Sequence, residues 1–390
     1  MTFGVLALLV AAGLIGPALS SVHRAMPPAV VGEIAAGLVI GRSGLGWIDP
    51  TTPTMETFSN IGFAMLMFLV GTHVPLRDPA LRPALARGAL AAGTVMAVAV
   101  GAGVGLQGFT GLHRPLVLAV LISTSSAAVA LPILQASGRT DQPILVAISW
   151  IAIADIVTVL CLPIVLATGG LVKVAVGGCV VVGSAGIVYL LTRSIRSRRI
   201  VRELRVQSQQ RGWALDLRGS MLVLFVLAWL ATRFGTSILV AGFATGVAVA
   251  ALGEPRRVAQ QLIGLGEGFF VPIFFVVLGA RLDLGAIGHA PRALVLAACV
   301  LVSGVAARMT AARVWRLPVA TALLTAAQLG VPAAVVSIGL RNGQLTAAEG
   351  AAIMVAAVAS LGVCAVGAAM LGRTSALSDH AAPPDRAAGA

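Results

Sequence analysis

Residues 143–165 read Pro143-Ile-Leu-Val-Ala-Ile-Ser-Trp-Ile-Ala-Ile-Ala-Asp155-Ile-Val-Thr-Val-Leu-Cys-Leu-Pro-Ile-Val165. As a helix this run is long enough to cross about 30 Å of hydrocarbon. Its one charged residue, Asp155, stands near the centre. A carboxylate at that depth is costly unless something solvates or protonates it. An acid so placed points to an ion or proton site facing a water-filled cavity. The plainer alternative is a structural polar contact inside a helix bundle.

The rest of the chain agrees with a membrane setting. Of 390 residues, 58% are hydrophobic and 11% charged, against about 25% charged in soluble domains. The composition predicts an all-α polytopic membrane protein, because helices satisfy their own backbone groups in lipid. No strand alternation is evident. Thirteen candidate spans cover approximately 3–21, 28–41, 57–73, 84–107, 115–136, 143–165, 170–192, 217–232, 235–252, 266–281, 292–312, 317–339 and 346–371. The run Phe3–Ser20 lacks a basic n-region and is read as the first span rather than a leader.

The net charge of +13 does not indicate nucleic acid, since the basic residues lie mostly between apolar runs and serve orientation. The longest polar stretch, Arg193–Arg218, is expected in the cytoplasm. Alternating outward from it puts 20 of the 27 basic residues on that side, with Arg42, Arg114, Lys173, Arg233, Arg281, Arg292 and Arg341 opposite. The N-terminus is then outside and the C-terminus inside a cell membrane. In this count Arg308 is an ordinary membrane-edge arginine. Cys161, Cys179, Cys299 and Cys364 have neither metal-ligand nor redox spacing. No Walker motif is present, which speaks against ATP-driven transport, and no cofactor is implied.

An odd number of spans allows two six-helix halves of opposite orientation around a linker span, the inverted-repeat plan of secondary transporters. Two interruptions fit that plan. Span five contains Ser123-Thr124-Ser125-Ser126 followed by Pro132, and span twelve contains Gln328-Leu329-Gly330-Val331-Pro332. They occupy equivalent places in the two halves, and matched interruptions mark the binding site of such a transporter. The fold expected is therefore two inverted six-helix repeats with crossed discontinuous helices, spans five and twelve.

Four stretches carry a resemblance to a known family. They are Pro27-Pro28-Ala29-Val30-Val31-Gly32-Glu33-Ile34-Ala35-Ala36-Gly37-Leu38, Ile61–Gly71, Ser123–Leu134 with Asp155, and Phe269–Gly279. In order, spacing and span number they resemble the monovalent cation:proton antiporters of the sodium/hydrogen exchanger superfamily, in the branch with the glutathione-gated potassium efflux systems. The resemblance implies a homodimer with a membrane domain over 1–372. Its scaffold would cover about 1–80 and 170–285, and a mobile core about 84–165 and 292–371. A short disordered cytoplasmic tail would occupy 373–390. Transport would follow an elevator-like movement of the core, with the acid of span six binding proton and cation alternately.

The chain departs from the family pattern at several places. Ala154 stands where Asp, Asn or Gln usually precedes the acid. The family's span-eleven lysine falls at Gly304, with Arg308 one turn further on as a candidate substitute partner for Asp155. Leu329-Gly330-Val331 replaces a charged Arg–Gly–Glu. The polar site is thus reduced to one acid, for which electroneutral one-for-one exchange of Na⁺ or K⁺ against H⁺ is the simplest scheme. The hydroxyls of Thr124, Ser125, Ser126 and Thr158 are candidate cation ligands, since oxygen suits hard cations, although Thr158 could equally bond back to its own helix. Gln328 could line the cavity or make a bare interhelical hydrogen bond. Glu33 belongs to the scaffold side and is read as structural. The competing functions are an exporter or symporter of an organic ion on the same scaffold and a transport-inactive homologue. A membrane enzyme would need a second catalytic acid, a metal cluster or a nucleophile–base pair, and none is found.

Overall fold

The apolar runs fold as helices, and the computed structural model describes residues 2–22, 29–72, 82–127, 129–130, 134, 141–166, 171–196, 203, 207–208, 210–211, 213–233, 238–252, 261–262, 264–283, 285–286 and 290–381. Among these residues there are fourteen α-helices and no strand. The first half contains α1 (Phe3–Val22), α2 (Ala29–Ile40), α3 (Pro53–Thr72), α4 (Arg82–Thr110), α5 (Pro115–Ser123) and α6 (Gln142–Val165). Then come α7 (Leu171–Arg196), α8 (Leu215–Arg233), α9 (Ile238–Leu252) and α10 (Val271–Arg281). The chain closes with α11 (Pro291–Val314), α12 (Val319–Leu324), α13 (Gly330–Arg341) and α14 (Ala347–Ala381). Each of the thirteen apolar stretches predicted from sequence contains helix. Among the described residues six helices have the length and composition to cross a membrane, within Pro53–Thr72, Pro83–Thr110, Gln142–Val165, Val176–Ser194, Pro291–Val314 and Ala347–Leu371.

One π turn, Gly266–Phe270, leads into α10. Pro272, in the first turn of α10, has no N–H to give the preceding turn, at the place where the π pattern gives way to the α pattern. Helix α14 runs on to Ala381. Nothing between Arg373 and Ala381 breaks a helix, and the next proline is Pro383, which disfavours helix at the residue before it. Residues 382–390 and much of the Arg193–Arg218 stretch lie outside the described residues.

The larger packing contacts divide the helices into two groups. In one, α3 packs on α9 and α10, α2 on α10 and α1, and α9 on α7 and α8. In the other, α4 packs on α5, α6 and α11, while α14 packs on α11, α12 and α13. Contacts between the groups are small, such as α6 against α7 and α9, and α13 against α3. Glycine sets the spacing of the first group's tightest pairs. A Cβ at Gly37 of α2 would stand 2.0 Å from the Val276 carbonyl oxygen of α10, and one at Gly246 of α9 would stand 2.1 Å from that of Phe68 in α3. Backbones approach this closely only where a side chain is missing, the usual device between helices in lipid.

Candidate ion-binding site at a crossing of two broken helices

Span five breaks at the hydroxyl run. Helix α5 ends at Ser123, Thr124 is extended at φ −63° and ψ 148°, and helical geometry resumes at Ala127. Pro132, one of the two signals read from sequence, lies outside the described residues, so the break itself coincides with Thr124-Ser125-Ser126. Span twelve breaks between α12 and α13. Leu329, with φ −143° and ψ −58°, is the residue before α13. Pro332 sits in the first turn of α13, where its missing N–H has no intrahelical acceptor to lose. It therefore opens a helix rather than kinking one.

A break leaves N–H and C=O groups without partners inside the membrane, and each must be answered. The two breaks answer one another. The Ser126 N–H donates to the Ala327 carbonyl at 2.7 Å, and Ser125 Oγ donates to the Thr325 carbonyl at 2.6 Å. Gln328 Nε2 reaches the Ile122 carbonyl at 3.4 Å. Behind the second break, the Gln328 N–H donates to Ser360 Oγ of α14 at 2.9 Å.

Asp155 lies on α6 beside the first break and is 5% exposed. Its Oδ2 accepts the N–H of Ala127 at 3.1 Å, the residue at which helical geometry resumes. Thr158, one turn along α6, donates its hydroxyl to the Ala154 carbonyl at 2.7 Å and stands 3.3 Å from the Thr124 hydroxyl. Asp155, Thr124 and Thr158 are thus neighbours. The Ser125 hydroxyl is committed to the other break. Ser126 is buried and contributes its backbone N–H to the crossing. Gln328 is buried with its amide at the crossing. Glu33 is 4% exposed on α2, in the other helix group, with its Cγ against Gly16 of α1 and, among the described residues, no hydrogen-bond partner for Oε2.

Arg308 is buried, at 2% exposed, and no ion pair joins it to Asp155 among the described residues. Its Nε donates to the Thr325 carbonyl at 3.0 Å. Nη1 donates to the carbonyls of Ile122 at 3.0 Å and Gly304 at 2.8 Å, and Nη2 donates to that of Thr124. One guanidinium therefore collects carbonyls freed by both breaks, which its five donors in a fixed fork suit. Gly304 leaves the room: a Cβ there would lie 3.3 Å from Arg308 Nη1 and 3.2 Å from Gln328 Nε2.

Sequence reasoning missed Thr325 and Ser360. Thr325 offers its carbonyl to both Ser125 and Arg308. The available signal for Ser360 was positional. It is a polar residue inside the apolar run 346–371.

Residues 6–372 match the family described as "Sodium/hydrogen exchanger, transmembrane". The chain is 30% identical over 275 residues to the putative Na(+)/H(+) antiporter YjbQ of Bacillus subtilis, a match covering 66% of this chain and 44% of that protein. It is 22% identical over 267 residues to the Na(+)/H(+)-K(+) antiporter GerN of Bacillus cereus, covering 67% of each. The chain thus spans less than half the length of the Bacillus subtilis relative. Its fold is similar to the solved structure of the sodium proton antiporter MjNhaP1 from Methanocaldococcus jannaschii, with a TM-score of 0.63 at 14% identity, over 96% of this chain and 97% of that one.

Proposed function

The chain belongs to the sodium/hydrogen exchanger family, and from that premise we propose that it exchanges a monovalent cation, Na⁺ or K⁺, for H⁺ across the cell membrane at Asp155. The observation that carries this reading is a buried acid set against the freed N–H at a helix break, with the paired Thr124 and Thr158 hydroxyls one helical turn along. A proton on Asp155 neutralises the carboxyl. A dehydrated cation replaces that proton only if oxygen ligands make up for its lost water. Thr124 and Thr158 supply hydroxyl oxygens next to the acid, and Ser125 and Ser126 hold the broken strand in place. The carboxylate cannot hold both ligands at full strength, so one flux depends on the other. With a single acid and no lysine at the crossing among the described residues, the exchange is one for one and electroneutral.

Alternating access is assigned to movement of the helix group α4–α6 with α11–α14 as a core against the group α1–α3 with α7–α10 as a scaffold. The small contacts between the groups support this division. An inverted repeat is supported by a packing pattern that recurs on moving seven spans along: α2 on α10 corresponds to α9 on α3, and α1 on α2 to α8 on α9. The two glycine contacts obey the same relation. The protein works as a homodimer with its N-terminus outside.

Purified protein in vesicles holding a pH-sensitive dye, challenged in turn with Na⁺, K⁺ and Li⁺, tests the proposal. Cation-dependent proton movement that disappears in Asp155→Asn is expected. Movement indifferent to the cation, or untouched by that change, overturns it. The second reading, transport of an organic ion, is favoured by the neutral Ala154 and Leu329-Gly330-Val331, and proton movement driven by an organic ion alone would establish it.

A further inference from the structure

The peptide group joining Ala327 to Gln328 is held from both ends. Its N–H donates to Ser360 Oγ at 2.9 Å, and its C=O accepts the Ser126 N–H at 2.7 Å. The next N–H along that strand, of Ala127, is the donor to Asp155 Oδ2 at 3.1 Å. A single peptide thus links a hydroxyl on α14 to the strand that carries the carboxylate's donor. Ser360 is free to act as acceptor, because its own proton goes to the Ala357 carbonyl at 2.6 Å. The path is closed to water, with Ser360 2%, Gln328 3%, Ser126 4% and Ala127 4% exposed. In such a setting the two hydrogen bonds of the Ala327–Gln328 peptide polarise one another, and their hold on Ser126 is passed to Ala127 as position through the backbone. The relation is also reciprocal. On α6 an acid accepts the N–H at one break, and on α14 a hydroxyl accepts the N–H at the other.

We propose that Ser360 is a positioning residue for Asp155, acting through the Ala327–Gln328 peptide and the Ser126–Ala127 strand. The role rests on the exchange reading above in so far as Asp155 is the transport site, but it concerns geometry that can be measured without transport. When Ser360 accepts the Gln328 N–H, it fixes and polarises that peptide. The carbonyl at its other end then holds Ser126, which places the neighbouring Ala127 N–H against the carboxyl group. Loss of the hydroxyl leaves the Gln328 N–H buried without a partner, the peptide tilts to find another, and the Ala127 N–H moves off Asp155.

The test reads the carboxyl directly. Infrared difference spectra of the purified protein, taken across a pH jump, contain a carboxyl band assigned to Asp155 by its absence in Asp155→Asn. In Ser360→Ala that band shifts in frequency, and in Ser360→Thr, which keeps the hydroxyl, it returns to the wild-type position. In vesicles, Ser360→Ala raises the apparent KM for the transported cation by about two- to tenfold, the worth of one hydrogen bond, with the maximal rate retained, and Ser360→Thr restores KM. A band that stays in place in folded Ser360→Ala overturns the proposal, and so does a fall in maximal rate with KM unmoved. If wild-type protein moves no protons on cation addition, the exchange reading fails on its own and the infrared comparison still decides the role of Ser360.

Discussion

Arg308→Lys separates charge from geometry at the crossing. The guanidinium spans carbonyls on two strands, Ile122 and Thr124 on one side and Thr325 on the other, besides Gly304 in its own helix. A lysine ammonium is a point charge on a flexible stem and cannot fork in this way. It would keep one side and abandon the other. Each hydrogen bond from a charged group contributes about 1.5–3 kcal/mol. With two of the cross-strand bonds lost and some relaxation, the expected destabilisation is about 2–4 kcal/mol. Arg308→Met also removes the cost of burying a charge but abandons every carbonyl, so it should lose a similar amount. Denaturant unfolding in detergent measures both. Arg308→Lys that unfolds with wild-type stability and exchanges ions at the wild-type rate would refute the reasoning. Because no ion pair joins Arg308 to Asp155, Arg308→Ala should lower exchange without displacing its pH profile. A displaced profile would show that the two buried groups couple electrostatically beyond contact distance.

Three further perturbations probe other parts of the molecule. Thr158→Val removes an oxygen beside Asp155 while keeping the shape, and should raise the apparent KM for the cation about two- to tenfold. Its unfolding midpoint should stay near wild type, since the Thr158 hydroxyl donates only to a helix carbonyl; an unchanged KM would exclude Thr158 as a ligand. Arg341 of α13 bonds Asn60 at 2.8 Å and faces Glu56 at 3.5 Å, both on α3 of the other helix group. Such half-exposed pairs are worth at most about 1 kcal/mol, so Arg341→Ala should shift the balance of states by no more than about fivefold, read as spin-label distances between α3 and α13. Gly246→Leu drives a side chain into the Phe68 carbonyl and should lower the thermal unfolding midpoint in detergent. An unaltered midpoint would mean that α3 and α9 are not locked together.

The helices were legible because apolar length is a property of sequence, and both breaks were legible because hydroxyl runs and Gly/Pro pairs are local signals. Asp155 announced itself by the cost of charge in oil. The partners of Arg308 were not legible, because they are backbone carbonyls, which every residue carries and no sequence displays. Read by its charge alone, Arg308 could only be a loop marker or a mate for Asp155. Ser360 was hidden for a related reason, since a serine in a membrane helix usually bonds its own helix, as this one also does. Only the fold puts the Gln328 N–H within its reach. The extension of α14 past residue 373 could have been read from the absence of a breaker before Pro383.

Helix α14 has 35 residues, about 52 Å of unbroken rod against about 30 Å of hydrocarbon. It begins in the group that holds the crossing and carries Ser360 on the way. Standing along the bilayer normal, a helix of this length exceeds the hydrocarbon by about 20 Å. A tilt of the rod that carries Ser360 is then magnified toward its C-terminal end, where a label could read it.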